Sequence, residues 1–167
     1  MTITIRAAQP SDATRWEEIH AAGWEYAYRG ILDDDYLDAT KEKFKNNVSK
    51  TIEYLSAENG IKLVAVDEND LVIGIMGGLF TTSEKGEKTF KLEGLYLDPK
   101  YIGCGIGKTL VSAFIDWVKQ NGGQSFTVEC LEQNKSCGFY KKLGAQEFQR
   151  HMFKDKYPEI IFRFVLN

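Results

Sequence analysis

The chain has 167 residues, 43% of them hydrophobic and 27% charged, which excludes a disordered or fibrous polymer and suits a single domain spanning 1–167. Lys and Arg number 21 against 24 Asp and Glu, a net charge of −3, so there is no broad positive field to hold a phosphate backbone and nucleic acid is not the expected partner. Cys104, Cys130 and Cys137 lack CxxC spacing and stand far in sequence from His20 and His151, so neither a disulfide framework nor a bound metal is expected.

Met1 to Arg6 alternates like a strand and lacks the basic start and apolar stretch of a signal peptide. No run is long enough to cross a bilayer, so a cytoplasmic protein without a membrane partner is expected. Ala7 to Asp12 breaks the strand, and Asp12 is placed to cap a helix. In that helix Trp16, Ile19, Gly23 and Tyr26 recur at spacings of three and four, which predicts a core-facing stripe with Arg15, Glu17, Glu18 and Glu25 mostly elsewhere. Asp33-Asp34-Asp35 reads as a solvated acidic turn, and a second helix is expected over about 40–57 with Phe44, Val48, Ile52 and Leu55 inward.

The period then changes to that of strands. Ile61 to Val66 and Leu71 to Phe80 flank the turn-like Asp67 to Asp70 and predict a hairpin, with a third strand at Thr89 to Leu97. Gly107 to Lys119 reads as an amphipathic helix stopped by Asn121-Gly122-Gly123. A strand at Ser125 to Leu131, a short helix at Asn134 to Leu143, and two closing strands at 145–150 and 159–166 complete a mixed α/β order.

The most informative segment joins strand to helix through Ile102-Gly-Cys-Gly-Ile-Gly-Lys108. Glycines at alternate positions let main chain approach a ligand, and the amides of such a loop and of the next helix turn together suit a phosphate or diphosphate. A Walker A loop would need glycine at position 102, which is Ile102, and a dinucleotide fingerprint would need its third glycine where Lys108 stands. The remaining pattern is [Q/R]-x-x-G-x-[G/A], with Gly105 and Gly107 in its glycine positions and Ile102 replacing Gln or Arg. Downstream, Val128 to Asn134 and Phe139-Tyr140-Lys-Lys-Leu-Gly144 follow as strand, Asn and short helix. In these features, and in the order of elements from residue 2 to 166, the chain resembles the GNAT superfamily of N-acetyltransferases.

The resemblance implies a fold of mixed α/β class, with a mostly antiparallel central sheet of six to seven strands flanked by about four helices. It implies acetyl-CoA as cosubstrate and no metal. The pantetheine arm is expected along main chain of Gly94, Leu95, Tyr96 and Leu97, and the diphosphate on Ile102, Gly103, Cys104, Gly105, Ile106, Gly107 and Lys108. Asn134 is expected to bond the arm, and Tyr140 to stand beside the sulfur.

Transfer to a primary amine needs a base, because an alkylammonium with a pKa of about 10.4 has no free lone pair at neutral pH. It also needs a donor for the tetrahedral oxyanion and a proton for the departing thiolate. Glu93 is the expected base, with Glu129 on the neighbouring strand as its rival; the Leu95 amide is the expected oxyanion donor and Tyr140 the acid. Trp24, Tyr28 and Tyr36 are candidate walls for a small-molecule or peptide amine, attacking directly in a ternary complex. The alternative is an acyl-CoA-binding sensor that does not transfer. The resemblance also raises a homodimer.

Overall fold

The N-terminal alternation does become a strand, β1 (Thr4–Ala7), in a computed structural model that covers residues 1–167. A short 3-10 turn at Pro10–Asp12 leads into α1 (Ala13–Tyr28). Asp12 does not cap α1 with its side chain; it accepts the Gln9 amide at 2.7 Å and pairs with Arg6 at 2.8 Å, fastening β1 to the helix entry.

Two helices stand where one was expected: α2 (Asp34–Asn46) and α3 (Val48–Ser56). The break falls at Asn47, whose φ of −102° and ψ of 14° leave the helical region; asparagine favours such positions because its amide competes with main-chain bonding. The acidic triplet is not a free turn. Asp34 and Asp35 open α2, where carboxylates complement the positive helix end, and Asp33 pairs with Lys156 at 2.8 Å.

The sheet contains β1, β2 (Ile61–Val66), β3 (Val72–Thr82), β4 (Lys88–Leu97), β5 (Ser125–Leu131), β6 (Gln146–Phe153) and β7 (Tyr157–Val165). Their order is β1-β2-β3-β4-β5-β7-β6, and every pairing is antiparallel except β4 with β5. With α4 (Ile106–Gln120) and α5 (Ser136–Lys142) the chain has five helices, and the mixed, mostly antiparallel architecture agrees with expectation.

Each sheet face carries its own core. On one, α4 and α5 bury Leu110, Phe114, Val118 and Tyr140 against Phe90, Leu92, Phe126, Phe162 and Phe164. Phe114 meets Phe126 edge-on at 4.9 Å and Phe126 stacks on Phe164 at 4.5 Å, and each buried ring contributes about 2 to 3 kcal/mol through area removed from water. On the other face, Trp16 and Ile19 of α1 and Leu55 of α3 cover Val64, Val66, Val72 and Ile75.

Three residues break the predicted helical stripes. Tyr26 and Ile52 are exposed, at 56% and 42%, whereas Glu17 is buried at 6%. Helical spacing fixes which residues share a face; which part of that face meets the sheet and which meets a cavity depends on packing. No helix is long and apolar enough to cross a membrane.

Candidate active site

The site begins where β4 and β5 part. These parallel strands pair only at Lys91 with Thr127 and Leu92 with Val128. Beyond that point β4 remains paired to β3, and its other edge is free through Leu97. On the β3 side, Gly77 is opposite Gly94 and Gly78 opposite Leu92, so Glu93 is an extra residue in a bulge; bulges re-aim side chains and often lie beside functional sites.

The direction of the β4 amides follows from one hydrogen bond. The Asp98 amide donates to the Ile73 carbonyl of β3 at 2.9 Å. Because amides alternate sides along a strand, those of Leu97 and Leu95 turn the other way, into the gap towards β5.

After β4 a 3-10 turn at Pro99–Tyr101 carries the chain to the glycine loop. Gly103 and Gly105 sit at φ +87° and +82°, a left-handed conformation that side chains disfavour. The Cys104 amide donates to the Tyr101 carbonyl, and the Thr109 amide closes the first helical turn on Gly105. The amides of Gly103, Gly105, Ile106, Gly107 and Lys108 donate to no main-chain carbonyl. All five residues line one cavity of about 420 Å³ that runs from this loop into the β4–β5 gap.

Leu95, Tyr96, Leu97, Ile102, Asn134 and Tyr140 line the same cavity. Cys104, expected among them, does not, because its amide is tied back to Tyr101 and its side chain faces outward. Asn134 Oδ1 accepts the Ser136 amide at 2.9 Å, which fixes the side chain at the start of α5. Tyr140 is 5% exposed, and burial holds its phenol well above the ordinary range and therefore protonated at neutral pH. Burial likewise pushes up Tyr28 and Tyr96.

A second cavity of about 470 Å³ lies on the α1 face of the sheet, between α1, the α2–α3 junction and β4. Glu93, Gly94 and Tyr96 line both cavities. Gly23 permits this junction: a Cβ there would stand 2.7 Å from the Tyr96 ring.

The three predicted acceptor residues therefore separate. Tyr28 lines the first cavity and Trp24 the second. Tyr36 lines neither and is corrected; Lys154 lies 3.4 Å over its ring and Phe153 beside it. Glu17, His20, Phe44 and Tyr54, which also line the second cavity, were missed by the sequence reading. Glu17, His20 and Trp24 do recur at three and four along α1, a signal hidden among ordinary surface charges.

The two candidate bases differ in their partners. Glu129 is engaged by Lys91 at 3.0 Å, whereas Glu93 has no ion-pair partner. Glu129 also stands near His151 and Glu159, and those two already pair with each other.

A free strand edge continuing into a cradle of unpaired loop amides fits an extended ligand with a diphosphate at one end. The profile of the acetyltransferase (GNAT) family matches residues 16–145. The chain belongs to this family. As a GNAT protein it is an acetyl-CoA-dependent acyltransferase. It is 25% identical to the uncharacterized N-acetyltransferase YuaI of Bacillus subtilis over 157 residues, 91% of this chain and 85% of that protein. It is 24% identical to an aminoglycoside N(6')-acetyltransferase type 1 of Stenotrophomonas maltophilia, over 81% of this chain and 85% of that one. Its fold matches the PaiA N-acetyltransferase of Thermoplasma acidophilum, solved in complex with coenzyme A, with a TM-score of 0.78, 23% identity and 99% of both chains covered.

Proposed function

We propose that this GNAT protein transfers the acetyl group of acetyl-CoA to a primary amine by direct attack within a ternary complex. The observation that carries this reading is the meeting of two cavities at Glu93, Gly94 and Tyr96, where the β4–β5 pairing ends. One cavity suits the thioester carrier and the other the amine, so both reactants reach the same stretch of β4 from different sides.

In this reading the amides of Gly103, Gly105, Ile106, Gly107 and Lys108 hold the diphosphate, and the free edge of β4 with Asn134 aligns the arm. Glu93, unpaired and set in the bulge, accepts the ammonium proton directly or through water. Glu129 suits this role less well because Lys91 already engages it. The amine nitrogen bonds to the acetyl carbonyl carbon. The Leu95 amide, turned into the gap, stabilises the negative charge that develops on the oxygen. As the carbon–sulfur bond breaks, Tyr140 gives its proton to the thiolate.

The test is acetyl-CoA consumption against a panel of small amines and amine-terminated peptides, alongside calorimetric titration of acetyl-CoA. Binding of the carrier with transfer to at least one amine is the expected result. Binding with no transfer to any of them would favour a sensor, and no binding would remove the reading altogether.

A further inference from the structure

Three residues on the wall of the second cavity, Glu17, His20 and Trp24, carry buried polar atoms without a hydrogen-bond partner. Glu17 is 6% exposed; its Oε1 accepts the Thr51 hydroxyl at 2.8 Å, while its Oε2 has no hydrogen-bond partner. His20 Nδ1 and Trp24 Nε1 are also buried without partners. The gap from His20 Nδ1 to Glu17 Oε2 is 3.6 Å, beyond a true hydrogen bond, and the imidazole is held in place by stacking on Phe44 at 3.7 Å. An unpaired carboxylate oxygen in such a place is costly unless a ligand or a water meets it.

The surroundings say which ligand. Glu17 and Glu93 both line this cavity, and neither has a Lys or Arg nitrogen within 4.0 Å. The one lysine on its wall, Lys50, is exposed at the rim. Trp24 and Tyr96 supply aromatic wall, which attracts cations through the negative faces of the rings, while Tyr54 already carries Lys62 Nζ over its ring at 4.8 Å and Phe44 carries the stacked His20. Glu17 does not line the cofactor cavity, whereas Glu93 lines both. A molecule whose reacting amine lies beside Glu93 can therefore offer a second positive group to Glu17 within the same cavity.

We propose that the cavity between α1, the α2–α3 junction and β4 is an acceptor site for a small amine bearing a second cationic group, with Glu17 holding that group while the other amine is acetylated beside Glu93. This rests on the acetyl-transfer reading above. Thr51 fixes the Glu17 carboxylate, and the stacked His20 and the Trp24 ring form the wall beside it.

The experiment compares 1,4-diaminobutane, n-butylamine and a polyaminated sugar as acceptors for the wild-type enzyme and for Glu17→Gln, with folding checked by circular dichroism. In the wild type kcat/KM for the diamine exceeds that for the monoamine by about tenfold or more, which is about 1.4 kcal/mol. In Glu17→Gln the ratio falls towards one, chiefly through KM of the diamine. A ratio near one in the wild type, or a ratio unchanged by Glu17→Gln, overturns the proposal. Use of the sugar in place of the diamine, with the same dependence on Glu17, keeps the two-cation requirement and identifies its carrier. Should Glu17→Gln fail to fold, Thr51→Val, which removes the hydroxyl that fixes the Glu17 carboxylate, should lower the diamine-to-monoamine ratio, and an unchanged ratio overturns the proposal. Calorimetric binding of 1,4-diaminobutane separates the two readings. Binding that Glu17→Gln abolishes, in a protein that acetylates nothing, sinks acetyl transfer and leaves the cation site standing; transfer without diamine preference does the reverse.

Discussion

The cofactor side and the α1 side of the molecule meet on one strand, β4, yet they are built from different parts. The cofactor side works with main chain: a free strand edge, and loop amides exposed by glycines at φ +87° and +82°. The α1 side works with side chains, among them Glu17, His20 and Trp24 from one helix, Phe44 and Tyr54 from two others, and Glu93 from the strand. Main-chain sites demand particular residues at fixed spacing, because glycine adopts the required conformation without the steric cost other residues meet. Side-chain sites need only that certain groups converge, and many sequences achieve that.

The comparison is tested most severely at the groups that perform the chemistry on each side. Glu93→Gln and Tyr140→Phe should each lower kcat by about a hundredfold, the low end of general acid–base effects, while acetyl-CoA affinity stays within about twofold. Single-turnover kinetics with calorimetry checks this. Retained turnover in Glu93→Gln would mean that the proton leaves by another route on the α1 side. Retained turnover in Tyr140→Phe would reduce that phenol to a core ring. Next in size is Gly105→Val. A side chain at φ +82° costs about 1 to 2 kcal/mol, and distortion of the cradle should weaken acetyl-CoA binding by about tenfold.

This division explains what could be read from the sequence. The strands from Ile61 to Leu97, α4 and β5 followed from periodicity, and the loop from Ile102 to Lys108 from its glycines. Cys104 misled because the bonding of its amide to Tyr101 is a detail of the turn and not of the motif. On the α1 side, Tyr36 was a reasonable aromatic in the right connection, but the position of α2 against the β6–β7 turn sends it to Lys154 and Phe153 instead. Glu17 was assigned to the polar face because helical spacing cannot distinguish a buried carboxylate at a cavity from an exposed one. Nor could it show the break at Asn47, which decides where Phe44 and Thr51 converge.

Ile102 sharpens the comparison from the other direction. It lines the cofactor cavity and is 42% exposed, at a place where the family pattern has Gln or Arg. Ile102→Arg should tighten acetyl-CoA binding by about two- to fivefold by offering a guanidinium to the phosphates, measurable by the same calorimetry. A gain larger than the Gly105→Val loss would show that side chains, and not main chain, dominate retention of the carrier.

The smallest effect concerns how α1 is attached. Burial alone would raise the Asp12 carboxyl, but hydrogen bonds from Arg6 and the Gln9 amide outweigh it and leave Asp12 below its ordinary 3.8. A carboxylate depressed on folding stabilises the native state fully above its unfolded pKa, and loses that contribution as pH falls through the folded value. Wild-type stability should therefore decline on acidification below 3.8, and Asp12→Asn should lower stability at neutral pH while flattening the acid decline. Urea melts between pH 2 and 7 measure both. Because Asp12 touches α1 and β1 but not the glycine loop, calorimetry at pH 7 should give an acetyl-CoA affinity unchanged by the substitution. A weakened affinity would show that strain at the start of α1 travels through Gly23 and Tyr96 into the cofactor cavity, and that the two sides are less independent than their construction suggests.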